Sequence, residues 1–303
     1  LLASQSFKKS KASNLLLSDD VISTLNCLKK LGVKIKISKN FCTINGVGLN
    51  GFRYKKNLIL DAGNSGTLGR LILGLLTHTE NKIKLKGDKS LSKRDFSRVS
   101  EPLSKFGAKF KLKNNNFLPL KIYGSSNLKP IKYYEKKGSA QCKSSIIFAA
   151  MRTNGDTIIK AKKSRNHTEL LCKHLKLPIS VKNNKNYDVI KIKKVKKINT
   201  LNYEIPSDIS SSAFFIVLTA LSKHSELVIK NVNINPSRIG IVTILKKMGV
   251  KIFFKNQKTY KGEKKADIKV ISAKNLKAIN CPPKLNSGAI DEFLVIFLVA
   301  AKA

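Results

Sequence analysis

Four short turns of small polar residues carry the chemistry legible in this chain: Gly63-Asn64-Ser65-Gly66-Thr67, Gly138-Ser139-Ala140-Gln141, Ser207-Asp208-Ile209-Ser210-Ser211 and Asn286-Ser287-Gly288-Ala289. Each leads into an apolar run of helical character. Such a turn at a helix start aims free backbone N–H groups and the positive end of the helix dipole at one point, and hydroxyl side chains extend the set of donors. One such turn reads equally as an ordinary helix cap. Four of them, with Arg70, Arg94, Lys143 and Arg165 nearby, predict a site for a small molecule bearing several phosphate or carboxylate groups. Arginine is informative because it is scarce, with seven residues (53, 70, 94, 98, 152, 165 and 238) against 52 lysines.

The elements that must position these turns repeat. Four segments read helix then strand, joined by Leu/Phe/Met-Gly-small-Lys-apolar: Asp19–Ile37, Asp95–Leu112, Asn166–Val181 and Ser237–Phe254. In the first, Val21, Leu25, Leu28 and Leu31 share one helical face. Gly32, Gly107 and Gly249 are the expected left-handed caps, whereas the third copy has Leu177-Pro178 there. The two kinds of segment interleave, each stepping by roughly 70–80 residues, which predicts one supersecondary unit copied several times. The helices after the turns, Leu68–Leu76, Ile146–Ala150 and Ala213–Leu221, are apolar nearly all round and are expected to be buried.

Composition bounds the rest. The 303 residues are 42% hydrophobic, enough for a real core, and their length suggests two domains. A net charge of +41 would suit a polyanionic partner. Lysine is spread over the whole chain beside Asn and Ile, however, with no tryptophan and few aromatic platforms, so most of the charge reads as compositional background. Five cysteines without a CxxC pair argue against a disulfide scaffold or a structural zinc site and point to a reducing cytoplasm. The longest apolar run, Phe293–Ala301, is about half a membrane span.

In order along the chain, LDAGNSGTLGR (60–70), GDKSLSKRDFSRVSEPL (87–103), GSAQCKSS (138–145), SRNHTE (164–169), IPSDISSSAFF (205–215), NINPSRIGIVTILKKMGV (233–250) and IDEF (290–293) resemble the EPSP synthase branch of the enolpyruvyl transferase family. The resemblance implies an α/β fold of two inverted, inside-out barrel-like domains built from βαβαββ units, with the active site in the cleft between them. The expected boundaries are 1–205 for a nearly complete first domain and 206–303 for an incomplete second one. The implied reaction moves the enolpyruvyl group of phosphoenolpyruvate to the 5-hydroxyl of shikimate 3-phosphate through a non-covalent tetrahedral intermediate. No metal or organic cofactor is implied, and a cytoplasmic monomer without nucleic-acid or membrane partners is expected.

Carried over position by position, the resemblance assigns Asn64, Gly66, Thr67, Arg70, Arg94 and Gln141 to phosphoenolpyruvate. It assigns Ser139, Ala140, Gln141, Ser164, Arg165 and Asp291 to shikimate 3-phosphate. Asp291 is also the expected catalytic base. Several positions keep two readings: Asp208 as helix cap or hinge, Lys143 as ligand contact or solvated lysine, and His167 as part of the shikimate phosphate wall or as a plain helix residue. Arg238 and Glu292 read as structural, and His78, His174 and His224 as surface residues.

Two family segments are missing, a Lys-Ser…Arg motif before Leu1 and a Lys-Glu-Ser-Asp-Arg segment after Ala303. Leu1-Leu2-Ala3-Ser4 reads as the tail of a buried helix, and Phe293–Ala303 stops without a cap. The chain is therefore expected to be an internal piece, inactive alone, of a longer active protein. Two alternatives remain. A UDP-N-acetylglucosamine enolpyruvyl transferase would carry a loop cysteine, and Gly87–Val99 has none. A basic nucleic-acid-binding protein would explain the charge but not the ordered motifs.

Overall fold

Each segment expected to run helix then strand does so in the computed structural model, which describes residues 1–303. The glycine caps are left-handed, with φ of +87° at Gly32, +113° at Gly107 and +98° at Gly249. In the third copy Lys176 takes that conformation instead, at φ 56°, just before Leu177-Pro178. A side chain is disfavoured there, so the glycine-free copy holds its cap against a local cost.

The chain divides into two compact units, Leu1–Lys162 with Cys172–Ile205, and Lys163–Leu171 with Pro206–Ala303. The segment Lys163–Leu171 lies inside the 1–205 range expected for the first domain, yet clusters with the second unit.

The first unit opens with β1 (Lys9–Ser13), α1 (Asp19–Lys30), β2 (Lys34–Ser38) and β3 (Phe41–Asn45). It continues with β4 (Leu58–Asp61), α2 (Gly66–Leu76), β5 (Ile83–Lys86), α3 (Ser97–Ser104), β6 (Lys109–Lys113) and β7 (Phe117–Tyr123). Then come β8 (Lys132–Glu135), α4 (Ala140–Ala150), β9 (Thr157–Lys162), β10 (Ile179–Asn183), β11 (Tyr187–Ile192) and β12 (Asn202–Glu204), while α5 (His167–His174), between β9 and β10, crosses from the second unit back into the first. Three four-stranded sheets share one topology: β4-β5-β7-β6, β8-β9-β11-β10 and β12-β1-β3-β2. In each, the first pair is parallel and the others antiparallel. The third sheet closes only because β12 returns to pair with β1, Lys11 opposite Asn202.

The helices lie inside and the sheets outside, the inverse of a doubly wound fold. Leu68, Ile72, Leu73, Leu75 and Leu76 of α2 are buried, and so are Ile146–Ala150 of α4, as their all-round apolarity predicts. Strands alternate accordingly. Leu118, Leu120 and Ile122 of β7 point inward, while Lys34 and Lys36 of β2 and Lys109, Lys111 and Lys113 of β6 face solvent. Much of the positive charge thus sits on outward strand positions, separated and hydrated. His78, expected at the surface, is half-buried, with its Nδ1 enclosed. Burial, then the charge of Arg152, pushes its imidazole down to about 3, so it is neutral. His174 and His224 are exposed as expected.

The second unit contains α6 (Ile209–Leu221), β13 (Glu226–Asn233), α7 (Gly240–Lys247), β14 (Lys251–Tyr260), β15 (Glu263–Ile271), α8 (Asn286–Ala289) and α9 (Phe293–Ala300). Its sheet order is β13-β15-β14, and a parallel bridge from Ser207 to Val232 stands where the first units have a leading strand. Asp208 caps α6, its Oδ2 accepting Ser211 N–H at 2.8 Å. The core joins Ile216, Val217, Ile244, Leu245, Ile268, Val270 and Val299.

One expectation fails here. α6 was expected to be buried, but Phe214, Phe215 and Leu218 are exposed, as are Leu294, Phe297 and Leu298 on α9. These helices pack on each other, and α6 also meets β13 and β15. An apolar helix needs neighbours on every side to be buried, and nothing covers these two faces.

Asp267, on the central strand β15, ties down both neighbours where their registers shift. It accepts Asn231 N–H (2.8 Å), Asn256 Nδ2–H (2.9 Å) and Lys230 Nζ–H (3.0 Å), and these bonds lower its carboxyl to about 2. A carboxyl lowered in the folded state adds stability that is complete above its unfolded value near 4 and is lost as pH falls through about 2. Asp267→Asn is therefore expected to lower the urea midpoint at pH 7, with the difference from wild type closing near pH 2. Equal deficits at both values would disprove the carboxylate's role.

Candidate functional site

In the first unit, strand-end acids build the turns. Asp61 Oδ1 accepts Gly63 N–H (2.9 Å), and Glu135 accepts Lys137 N–H (3.0 Å) and Gly138 N–H (2.7 Å). The turns then deliver Ser65 and Ser139 as caps, their hydroxyl oxygens accepting Leu68 N–H and Cys142 N–H at 3.2 Å. This local chemistry starts α2 and α4, and their packing brings the two starts together.

Between these starts, Arg70 is buried, its two terminal guanidinium nitrogens paired and its Nε without a partner. It donates to Gln141 Oε1 (2.9 Å) and to the carbonyl oxygen of Asp95 (3.1 Å), and it lies 4.9 Å over the Phe96 ring. Gln141 Nε2 in turn donates to Thr67 Oγ1 at 2.9 Å. Arg94 Nη2 donates to Asn64 Oδ1 (3.0 Å), whose Nδ2 donates to Asp88 Oδ2 (2.6 Å). Burial, then the charges of Arg98 and Arg94, bring Arg70 down to about 10. Three guanidiniums thus repel one another around one spot, and no carboxylate bonds to Arg70. Such a spot favours an anion.

Gly66 floors the cradle. A Cβ there would lie 2.8 Å from Arg70 Nη1 and 3.4 Å from Arg94 Nη1. The structure therefore gathers Asn64, Gly66, Thr67, Arg70, Arg94, Ser139, Ala140 and Gln141 into one part of the first unit. Lys143 is completely buried in α4, which removes the solvated reading.

Ser164, Arg165 and Asp291 belong to the second unit. Arg165 Nη2 pairs with Asp291 Oδ2, both half-exposed. Neighbouring Glu292 is buried and accepts a hydrogen bond from Ser210 Oγ, and burial raises its carboxyl above the usual range. Arg238 donates to Ser210 Oγ (2.6 Å) and to Asp208 Oδ1 (3.2 Å), in line with its structural reading. Asp291 and Glu292 are adjacent in sequence but differ in role: one is open and paired with arginine, the other is a buried support.

Sequence reasoning missed Asp88, Glu135 and Glu263. Asp88 lay within a stretch already singled out, GDKSLSKRDFSRVSEPL. For Glu135 and Glu263 the only available signal was rarity, since 18 acids stand among 59 basic residues.

Fold and site together define an inverted α/β repeat protein whose helix-start turns gather arginines. The family model for EPSP synthase (3-phosphoshikimate 1-carboxyvinyltransferase) matches residues 1–303, and the chain belongs to that family. It is similar to the 3-phosphoshikimate 1-carboxyvinyltransferase of Ruthia magnifica subsp. Calyptogena magnifica, with 42% identity over 97% of this chain and 66% of that one. It is also similar to the protein of that name from Hydrogenovibrio crunogenus, with 41% identity over 94% of this chain and 64% of the other. The solved EPSP synthase from Acinetobacter baumannii superposes with a TM-score of 0.89 at 34% identity, covering 100% of this chain and 68% of that one. The chain thus spans about two thirds of the length of the curated relatives it matches. No helix is long and apolar enough to cross a membrane.

Proposed function

We propose that the protein transfers the enolpyruvyl group of phosphoenolpyruvate to the 5-hydroxyl of shikimate 3-phosphate, on the route to chorismate and the aromatic amino acids. The hydroxyl oxygen bonds to C2 of phosphoenolpyruvate as C3 gains a proton. The tetrahedral adduct then loses inorganic phosphate and one methyl proton, giving the enolpyruvyl ether. No bond to the protein forms, and neither a metal nor an organic cofactor is needed to balance the steps.

The observation that carries this reading is the meeting of Arg70, Arg94 and the Thr67–Gln141 pair at the starts of α2 and α4. A phosphorylated carboxylate supplies the negative charge that these cations lack. In this reading Asn64, Gly66, Thr67, Arg70, Arg94 and Gln141 hold phosphoenolpyruvate. Ser139, Ala140, Gln141, Ser164 and Arg165 hold shikimate 3-phosphate. Asp291 contacts its hydroxyls and takes the 5-hydroxyl proton, with Arg165 as counter-ion. The protein works as a cytoplasmic monomer, without nucleic-acid or membrane partners.

The test is phosphate release by the protein purified from its source. Release requiring both substrates is expected, and release with UDP-N-acetylglucosamine in place of shikimate 3-phosphate would overturn the reading. In calorimetric titration of the chain, Arg94→Ala is expected to weaken phosphoenolpyruvate binding about tenfold, the worth of one charge-assisted contact. Unchanged affinity would remove Arg94 from the site.

A further inference from the structure

A buried carboxylate outside the residues assigned so far holds one edge of this site. Glu263, at the start of β15, is 6% exposed. Its Oε1 meets His167 Nδ1 at 2.6 Å, and its Oε2 accepts Asn233 Nδ2–H and Asn235 Nδ2–H, each at 3.1 Å. Asn235 Nδ2 also donates to Asn166 Oδ1 at 2.9 Å. All these residues belong to the second unit. The network clamps Asn166 and His167 directly after Ser164, whose hydroxyl is buried without a partner, and Arg165.

Glu263 takes one ring nitrogen of His167 and leaves the other, Nε2, without a protein partner on a side chain that is 37% exposed. A carboxylate on one nitrogen fixes which ring edge faces outward.

We infer that Glu263 is a positioning residue and His167 a ligand contact, the pair aiming Nε2–H at the phosphate of shikimate 3-phosphate beside Ser164 and Arg165. The identity of the ligand rests on the function proposed above; the orientation of the ring does not. The His167 and asparagine bonds hold the Glu263 carboxyl below the usual range against the effect of burial.

The test is calorimetric titration of the full chain with shikimate 3-phosphate, glycerol 3-phosphate and inorganic phosphate. His167→Asn keeps a nitrogen near Nδ1 and removes the outward one, and is expected to weaken shikimate 3-phosphate binding at least about tenfold. His167→Gln places an amide nitrogen near Nε2, and is expected to recover affinity to within about threefold. Glu263→Gln is expected to weaken binding and to change the ring 15N signals of His167. Wild-type affinity in His167→Asn, or unchanged ring signals in Glu263→Gln, would overturn the inference. If shikimate 3-phosphate fails to bind while another phosphate probe binds and is lost in His167→Asn, the pair stands and the proposed function falls. If no phosphate probe binds the wild type, both fall.

Discussion

Gly74→Val is expected to damage the first unit severely. α2 and α4 touch backbone to backbone at this point. A Cβ on Gly74 would lie 2.1 Å from Ser145 O, 2.9 Å from Ser145 C and 3.0 Å from Ser145 Cα. These are main-chain atoms inside a buried helix and cannot swing aside, so the helices must separate. Ser145 Oγ also donates to the carbonyl oxygen of Arg70 at 2.9 Å, which ties the same contact to the site. Overpacking of this kind costs about 3 kcal/mol or more. Separation also pulls Gln141 away from Arg70 and Thr67. A fall of the urea midpoint together with weaker phosphoenolpyruvate binding is the expected result. A midpoint equal to wild type would show that the helices tolerate separation, contrary to this account.

Arg70→Met should separate stability from binding. The side chain is 3% exposed, so its guanidinium carries a desolvation cost in addition to repulsion from Arg98 and Arg94. Methionine removes both costs, while leaving Gln141 Oε1 and the carbonyl oxygen of Asp95 without that donor, a loss of about 1–3 kcal/mol. These terms oppose, and only a small change in thermal midpoint is expected. Binding has no such offset. The buried cation of the proposed anion site is lost, and phosphoenolpyruvate affinity is expected to drop about 10- to 100-fold. An affinity within about threefold of wild type would place the anion elsewhere.

The repeat was legible because its signals are local. Val21, Leu25 and Leu28 mark one helix face, Gly107 and Gly249 mark helix ends, and the Ser65 and Asp208 caps lie within three residues of the amides they accept. The arginines stood out by rarity alone. Burial was less legible. The same apolar composition that is enclosed in α2 and α4 stays half open in α6 and α9, because enclosure depends on neighbours rather than on the helix itself. His78 failed for the same reason: nothing in its immediate sequence shows what packs over it.

The elements, their order, the helix-start turns and the family to which the motifs point follow from the order of residues alone. The pairings come from the folded chain. Arg70 finds Gln141, Arg94 finds Asn64, Arg165 finds Asp291 and His167 finds Glu263, across separations in the chain of 71, 30, 126 and 96 residues. It also made Asp291 an open, arginine-paired carboxylate and its neighbour Glu292 a buried one. The physical reason is range. Caps and periodicity arise from bonds within one or two helical turns, whereas the charge state and partner of a side chain are set by whatever the folded chain brings against it.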